Sequence, residues 1–161
     1  MRKMVINKLV IPGLIVGIAL GGMAYSHCQI PCGIYNDQMR FDMLSEHIAT
    51  IEKSINQITE LSGQPKPNYN QIVRWVTNKD EHADRASEII TYYFMAQRIK
   101  SVPETDTKAY NNYVKQLTLL HEMLVLAMKT KQTTDLSNIE QLRSLLQKFH
   151  DIYFAKTGTG G

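Results

Sequence analysis

The chain has 161 residues, enough for one domain and a leader, and a composition (43% hydrophobic, 20% charged, five prolines) that suits a helical globular protein. Its formal charge of +3 comes from Arg2, Lys3 and Lys8, which lie in a 26-residue opening without an acid; the remainder carries 15 basic and 15 acidic side chains. A neutral remainder with no basic cluster excludes nucleic acid as an expected partner, because phosphate binding needs concentrated Lys and Arg. Two cysteines are too few for a disulfide scaffold.

Residues 1–26 read as a cleavable leader. A basic start, MRKMVINK, precedes an apolar run from Leu9 to Leu20, and Ala24 and Ser26 form a small-residue site with the cut before His27. A retained anchor is the other reading. The apolar run to Tyr25 is at the short limit for spanning a bilayer and contains Pro12. The expected product is exported, periplasmic or extracellular, after a leader peptidase acts; a cytoplasmic product is the alternative. Contact with a membrane is expected only through the uncut leader.

Residues 27–35, HCQIPCGIY, come next, and residues 36–161 then read as four helices. Asn36 and Asp37 are candidate caps. Phe41, Leu44, Ile48, Ile51, Ile55 and Ile58 step by threes and fours, which predicts a helical seam over Gln38 to Leu61. Gly63, Pro65 and Pro67 end it. A second helix is predicted from Tyr69 to Lys100, with Ile72, Val73, Val76, Ala83, Ala86, Ile89, Ile90, Tyr93, Phe94 and Ile99 on its apolar face and a polar, surface-exposed or inter-subunit stretch from Thr77 to Arg85. A third, Asp106 to Lys131, carries a stripe of Tyr110, Tyr113, Val114, Leu117, Leu120, Leu124 and Ala127. It is widened by Leu119, Met123, Val125, Leu126 and Met128 until it is apolar nearly all round, so it is expected to be central or covered by another subunit. The fourth opens on a capping box, Ser137-x-x-Glu140, and continues through Leu142, Leu146, Phe149 and Tyr153. No strand-like alternation persists. The expected fold is all-α, an antiparallel up-down four-helix bundle with an N-terminal metal-binding hook.

Several catalytic patterns are missing: no Glu-x-x-His of a di-iron bundle, no Gly-rich phosphate loop, and Val125 where His121-Glu122 would need a second zinc-binding His. His47, His121 and His150 stand singly on helices and read as surface or structural histidines, and Tyr92-Tyr93-Phe94 reads as core. His27-Cys28-Gln29-Ile30-Pro31-Cys32 differs, because its chemistry coheres. Cutting before His27 would create a free amine beside an imidazole and two thiols, and thiolates are the metal-binding form of cysteine. The amine, the Cys28 amide nitrogen and the two sulfurs can make a square, with the His27 imidazole axial. Such a donor set suits Ni(II) or Cu(II) rather than tetrahedral zinc. The competing reading is an exported, non-catalytic helical binding module in which Cys28 and Cys32 form a disulfide; that bridge has no use for His27.

The pattern H-C-x-x-P-C-G-x-Y resembles the nickel hook of nickel-containing superoxide dismutases, and the resemblance extends through Arg74-Trp75-Val76 and Tyr93-Phe94-Met95-Ala96-Gln97-Arg98. It implies one nickel ion per subunit, with His27, Cys28 and Cys32 as ligands, cycling between Ni(II) and Ni(III) while superoxide is disproportionated to oxygen and hydrogen peroxide. It also implies catalytic roles for His27 and for Tyr35, which would order water over the open axial face, and a homohexamer of bundles. Pro31 would shape the hook. Gln29 stands where the family commonly has an acid. With a one-residue gap, Asp42 and His82 fall near the family's acid and arginine that support the axial histidine, which would make the basic partner titratable.

Overall fold

The computed structural model describes residues 36–155, all within one compact unit. Four helical stretches follow in order: α1, Asp37–Ser62; α2, Tyr69–Glu88, which runs on as a π-helical segment, Ile89–Arg98; α3, Thr107–Gln132; and α4, Ser137–Ala155. Cross-helix bonds give the direction of each pair. Asp37 meets Tyr93, His47 meets His82, and Ser54 meets Asn78, so α1 and α2 run antiparallel. Asp37 meets Tyr153, Gln38 meets His150 and Glu52 meets Arg143, so α4 returns antiparallel along the other side of α1. The bundle is all-α, as expected.

The α1 seam is buried as its spacing requires: Phe41, Leu44, Ile48, Ile51, Ile55 and Ile58 all face inward. Each fully buried side chain of this size contributes roughly 1.5–3 kcal/mol. Asn36 caps the helix, its side chain accepting from Gln38 N at 2.9 Å. Because Asn36 does the capping, the neighbouring Asp37 carboxylate is free to bond elsewhere. Rings close the core at this end, with Phe41 4.9 Å from Phe94 and 5.3 Å from Phe149.

Four expectations need correction. On α2, Val73 is 63% and Val76 37% exposed, although both belong to the predicted apolar face. The cause is length. The buried Lys79 ammonium donates to the Thr130 and Lys131 carbonyls, at 2.5 and 2.8 Å, and to Asp80 at 2.8 Å. The last turn of α3 therefore lies level with Lys79, and the ten residues of α2 before it, about 15 Å of helix, reach past that end. The same contact shows that the polar stretch Thr77 to Arg85 is not wholly surface, since Lys79 and Ala83 are buried. The core side of α3 is also rotated. Gln116, Leu119, Leu120, Met123, Leu126, Ala127 and Thr130 point inward, whereas Val114 is exposed and Leu117 and Leu124 are half-buried. A helix apolar nearly all round has no periodic signal to select its face, and the inner positions of Gln116 and Thr130 disguise it further. Finally, Ser137 does not form a capping box. Asp135 takes that role, accepting from Ser137 N at 2.9 Å and from Ser137 Oγ at 2.8 Å.

The π segment was not legible from period alone. Its widened turn is marked by a backbone bond spanning five residues, Ile99 N to Phe94 O at 2.9 Å, and the Gln97 side chain donates to Tyr92 O at 2.7 Å. In an α-helix, positions 93 and 98 would point about 140° apart. The wider π turn lets Tyr93 and Arg98 converge on one partner, and π turns inside helices frequently mark functional sites.

Candidate metal centre

The hook residues His27, Cys28, Gln29, Pro31, Cys32 and Tyr35, and the leader cut, lie outside the described residues. The structure does describe where the chain enters the bundle, at Asn36 and Asp37. The Asp37 side chain is 14% exposed. It accepts hydrogen bonds from Tyr93 Oη, from Tyr153 Oη at 2.7 Å and from Arg98 Nη2. Arg98 Nε also donates to Tyr153 Oη at 3.2 Å. The π segment and α4 are thus tied to the first residue of α1. Arg40 lies over the Tyr93 ring at 5.0 Å and Arg98 at 6.0 Å, so two guanidinium groups share this end with one carboxylate. The positive end of the α1 dipole adds to them.

The electrostatics follow from this arrangement. Burial alone would raise the Asp37 carboxyl, but the bonds from Tyr93, Tyr153 and Arg98 outweigh it and hold the group below the ordinary carboxylate range. Burial, then the bond to Asp37, pushes Tyr93 up to about 12, and Tyr153 likewise up to about 12. The bond to Tyr153, followed by the bond to Asp37, raises Arg98. Asp37 is therefore ionised, both tyrosines are neutral, and Arg98 is charged throughout the physiological range. None of this cluster was singled out as a site from sequence. The four residues lie on three elements far apart in the chain, with no motif to join them. The available signal was an acid beside a better cap.

Asp42 is exposed on α1 and accepts from Gln38 Nε2 at 2.9 Å. His82 lies on α2 with its Nδ1 3.0 Å from Nδ1 of His47. Asp42 and His82 thus have separate partners, and no hydrogen bond or ion pair joins them among the described residues. His47 consequently does not stand singly. Burial first, and then the other histidine and Arg85, lower the pKa of His47; burial and Arg85 lower that of His82; Glu46 and Glu81 oppose these effects. The pair is neutral at pH 7. His150 is half-buried, with Nε2 3.1 Å from Gln38 Oε1 and its ring edge-on to Phe41, and His121 is exposed. Tyr93 and Phe94 are core, whereas Tyr92 is 54% exposed.

Among the described residues no group of three or more His, Cys, Asp or Glu could hold a metal ion. The chain's concentrated donors are the two thiols and the imidazole of residues 27–32, and their nitrogen and sulfur chemistry fits nickel. A helical bundle joined to two thiols and an imidazole within six residues has the makings of a redox metalloprotein. A family model for nickel-containing superoxide dismutase matches residues 22–157, which include the whole hook and all four helices. The chain belongs to that family: it is an oxidoreductase, nickel is its cofactor and superoxide is its substrate. No curated protein and no solved structure gives a match.

Proposed function

We propose that the active nickel site forms only after cleavage before His27, and that the His27 amine and imidazole, the Cys28 amide and thiolate, and the Cys32 thiolate hold the ion, one per subunit. The observation that carries this reading is the H-C-x-x-P-C-G-x-Y pattern inside the matched residues. Bound there, nickel supplies a one-electron Ni(II)/Ni(III) couple that oxidises one superoxide to oxygen and reduces the next, with two protons, to hydrogen peroxide. The chain's residues do the rest. Pro31 and Gln29 shape the loop, and Tyr35 orders water and limits access to small anions. Tyr93 and Tyr153 are poor proton donors at neutral pH, since both hydroxyls are committed to Asp37 and titrate near 12.

Asp37 is two residues from Tyr35 and five from Cys32. Covalent reach keeps the Cys32 Cα within about 18 Å of the Asp37 Cα. The clamp of Arg98, Tyr93 and Tyr153 on Asp37 therefore fixes the base from which the hook extends, and the adjacent guanidinium groups favour approach of an anion.

Self-assembly into a homohexamer is supported by the apolar surface left on the bundle, Tyr69, Val73 and Val76 on α2 with Val114 and Met128 on α3. Export after leader removal is supported by the basic and apolar opening of the chain. Among the described residues no helix is long and apolar enough to cross a membrane. The reading is tested by the mass of the mature N-terminus together with metal analysis. A terminus at His27 with bound nickel is expected; a terminus elsewhere in active protein would contradict it.

A further inference from the structure

Two imidazoles meet face to face across the α1–α2 seam. His47 is 9% exposed and His82 is half-buried, so the pair lies at the solvent edge of the seam. Their Nδ1 atoms are 3.0 Å apart. The rings stand at 71° to each other with centroids 5.0 Å apart, so they do not stack. Burial favours the neutral form of both rings, which is the form that binds metals. In the hydrogen-bonded pair one ring carries its proton on Nδ1 and the other accepts. Moving that proton to Nε2 of the same ring, through solvent, keeps both rings neutral and frees both Nδ1 lone pairs.

The spacing selects among ions. An imidazole nitrogen sits about 2.0–2.1 Å from a divalent ion such as zinc. Two such nitrogens at a right angle about one ion stand about 2.9 Å apart, and at the tetrahedral angle about 3.3 Å. The observed 3.0 Å is closer to the right-angled value, which suits square-planar and octahedral ions better than tetrahedral zinc. The charged neighbours of the pair are Glu46, Glu81 and Arg85. Arg85 is paired with Glu81 at 3.9 Å. Glu46 acts on both histidines and is left to offset an incoming cation.

We propose that His47 and His82 form a second nickel site, in which the two Nδ1 atoms take neighbouring positions on the ion and water takes the others. Ni(II) is the cation because the right angle fits it and because nickel is the metal of the family. Two imidazoles fall short of the three protein ligands that hold even an open zinc site, so the ion exchanges freely. It is lost on dialysis and adds nothing to the nickel retained by the hook. The site needs neither the hook thiolates nor the cut before His27.

The experiment titrates the untagged full chain carrying Cys28→Ser and Cys32→Ser with nickel chloride, followed by calorimetry and by NMR of the histidine rings. Removing both thiols takes the hook out of the measurement, so failure here and failure of the hook reading are distinguishable. One saturable equivalent is expected. A nickel ion completed by water is paramagnetic, so the ring signals of His47 and His82 should broaden first, ahead of His121 and His150. Adding His82→Gln should weaken binding by at least about tenfold, since losing a ligand costs no less than losing the partner of one; adding His121→Ala should leave it unchanged. Circular dichroism establishes that each variant is folded, and the NMR result on the parent chain stands without any histidine variant. No saturable binding, equal binding with His82→Gln, or first broadening at another histidine would overturn the proposal and leave the pair as a hydrogen bond only. Tighter binding of zinc than of nickel would also overturn it, because it would report a tetrahedral site.

Discussion

Replacing Asp37 with Asn tests the clamp while keeping its shape. The carboxylate accepts from three donors on two other parts of the bundle. An Asn amide offers one oxygen and turns an NH2 group towards donors, so the Arg98 charge and one tyrosine hydroxyl lose their acceptor. A hydrogen bond to a charged group contributes about 1.5–3 kcal/mol and a neutral one about 1. The lower end applies to Arg98, whose side chain is 36% exposed and partly screened by water. The expected loss for Asp37→Asn is therefore about 2–3 kcal/mol at pH 7, read from urea denaturation followed by circular dichroism. The pH dependence has a definite sign. The folded Asp37 carboxyl lies below its ordinary value, so its stabilisation is full above the ordinary carboxylate range and is lost as pH falls towards the lower folded value. The gap between wild type and variant should narrow in acid. Removal of the Asp37 charge should also bring Tyr93 and Tyr153 down from about 12, as read by ultraviolet titration. A variant as stable as wild type at pH 7, with both tyrosines still titrating near 12, would refute the clamp.

Three further outcomes are expected. His47 and His82 are held neutral by burial, with pKa values below the ordinary histidine value; the stability from this pair is present above that value and lost as pH falls below it, so His82→Gln should lessen the fall in stability from about pH 7 to about pH 5. An unchanged acid dependence in the variant would show that the pair is not responsible. Lys79→Met keeps the buried volume but deprives the Thr130 and Lys131 carbonyls of their donor; a loss of about 2 kcal/mol is expected in denaturant unfolding, and a neutral effect would mean that those carbonyls find other partners. Cys28→Ser or Cys32→Ser should abolish dismutation and leave helical circular dichroism nearly unchanged, whereas collapse of the fold would indicate a structural bridge.

The parts of this molecule that could be read from the chain are those governed by local periodicity. Phe41 through Ile58 specify both helix and buried face because their threes and fours admit one solution. Val114 and Leu124 misled because α3 is apolar on almost every side, and only its neighbours decide which side is inner. The site divides in the same way. His27, Cys28 and Cys32 are close in sequence, so their joint chemistry was visible there. Asp37, Tyr93, Arg98 and Tyr153 are brought together by antiparallel packing and by a π turn that shifts Arg98 towards Tyr93; a reading based on 3.6 residues per turn places those two on different sides. His82 was expected to support the axial histidine, which lies outside the described residues; within them His82 meets His47 across the α1–α2 seam.

The most direct measurement compares nickel content and superoxide disproportionation in two chains, one beginning at His27 and one carrying a single extra residue before it. About one nickel per chain and activity are expected only for the first, because the extra residue converts the amine ligand into an amide. Zinc or no metal in the first chain, matured with nickel in supply, or full activity in the second, would contradict the account.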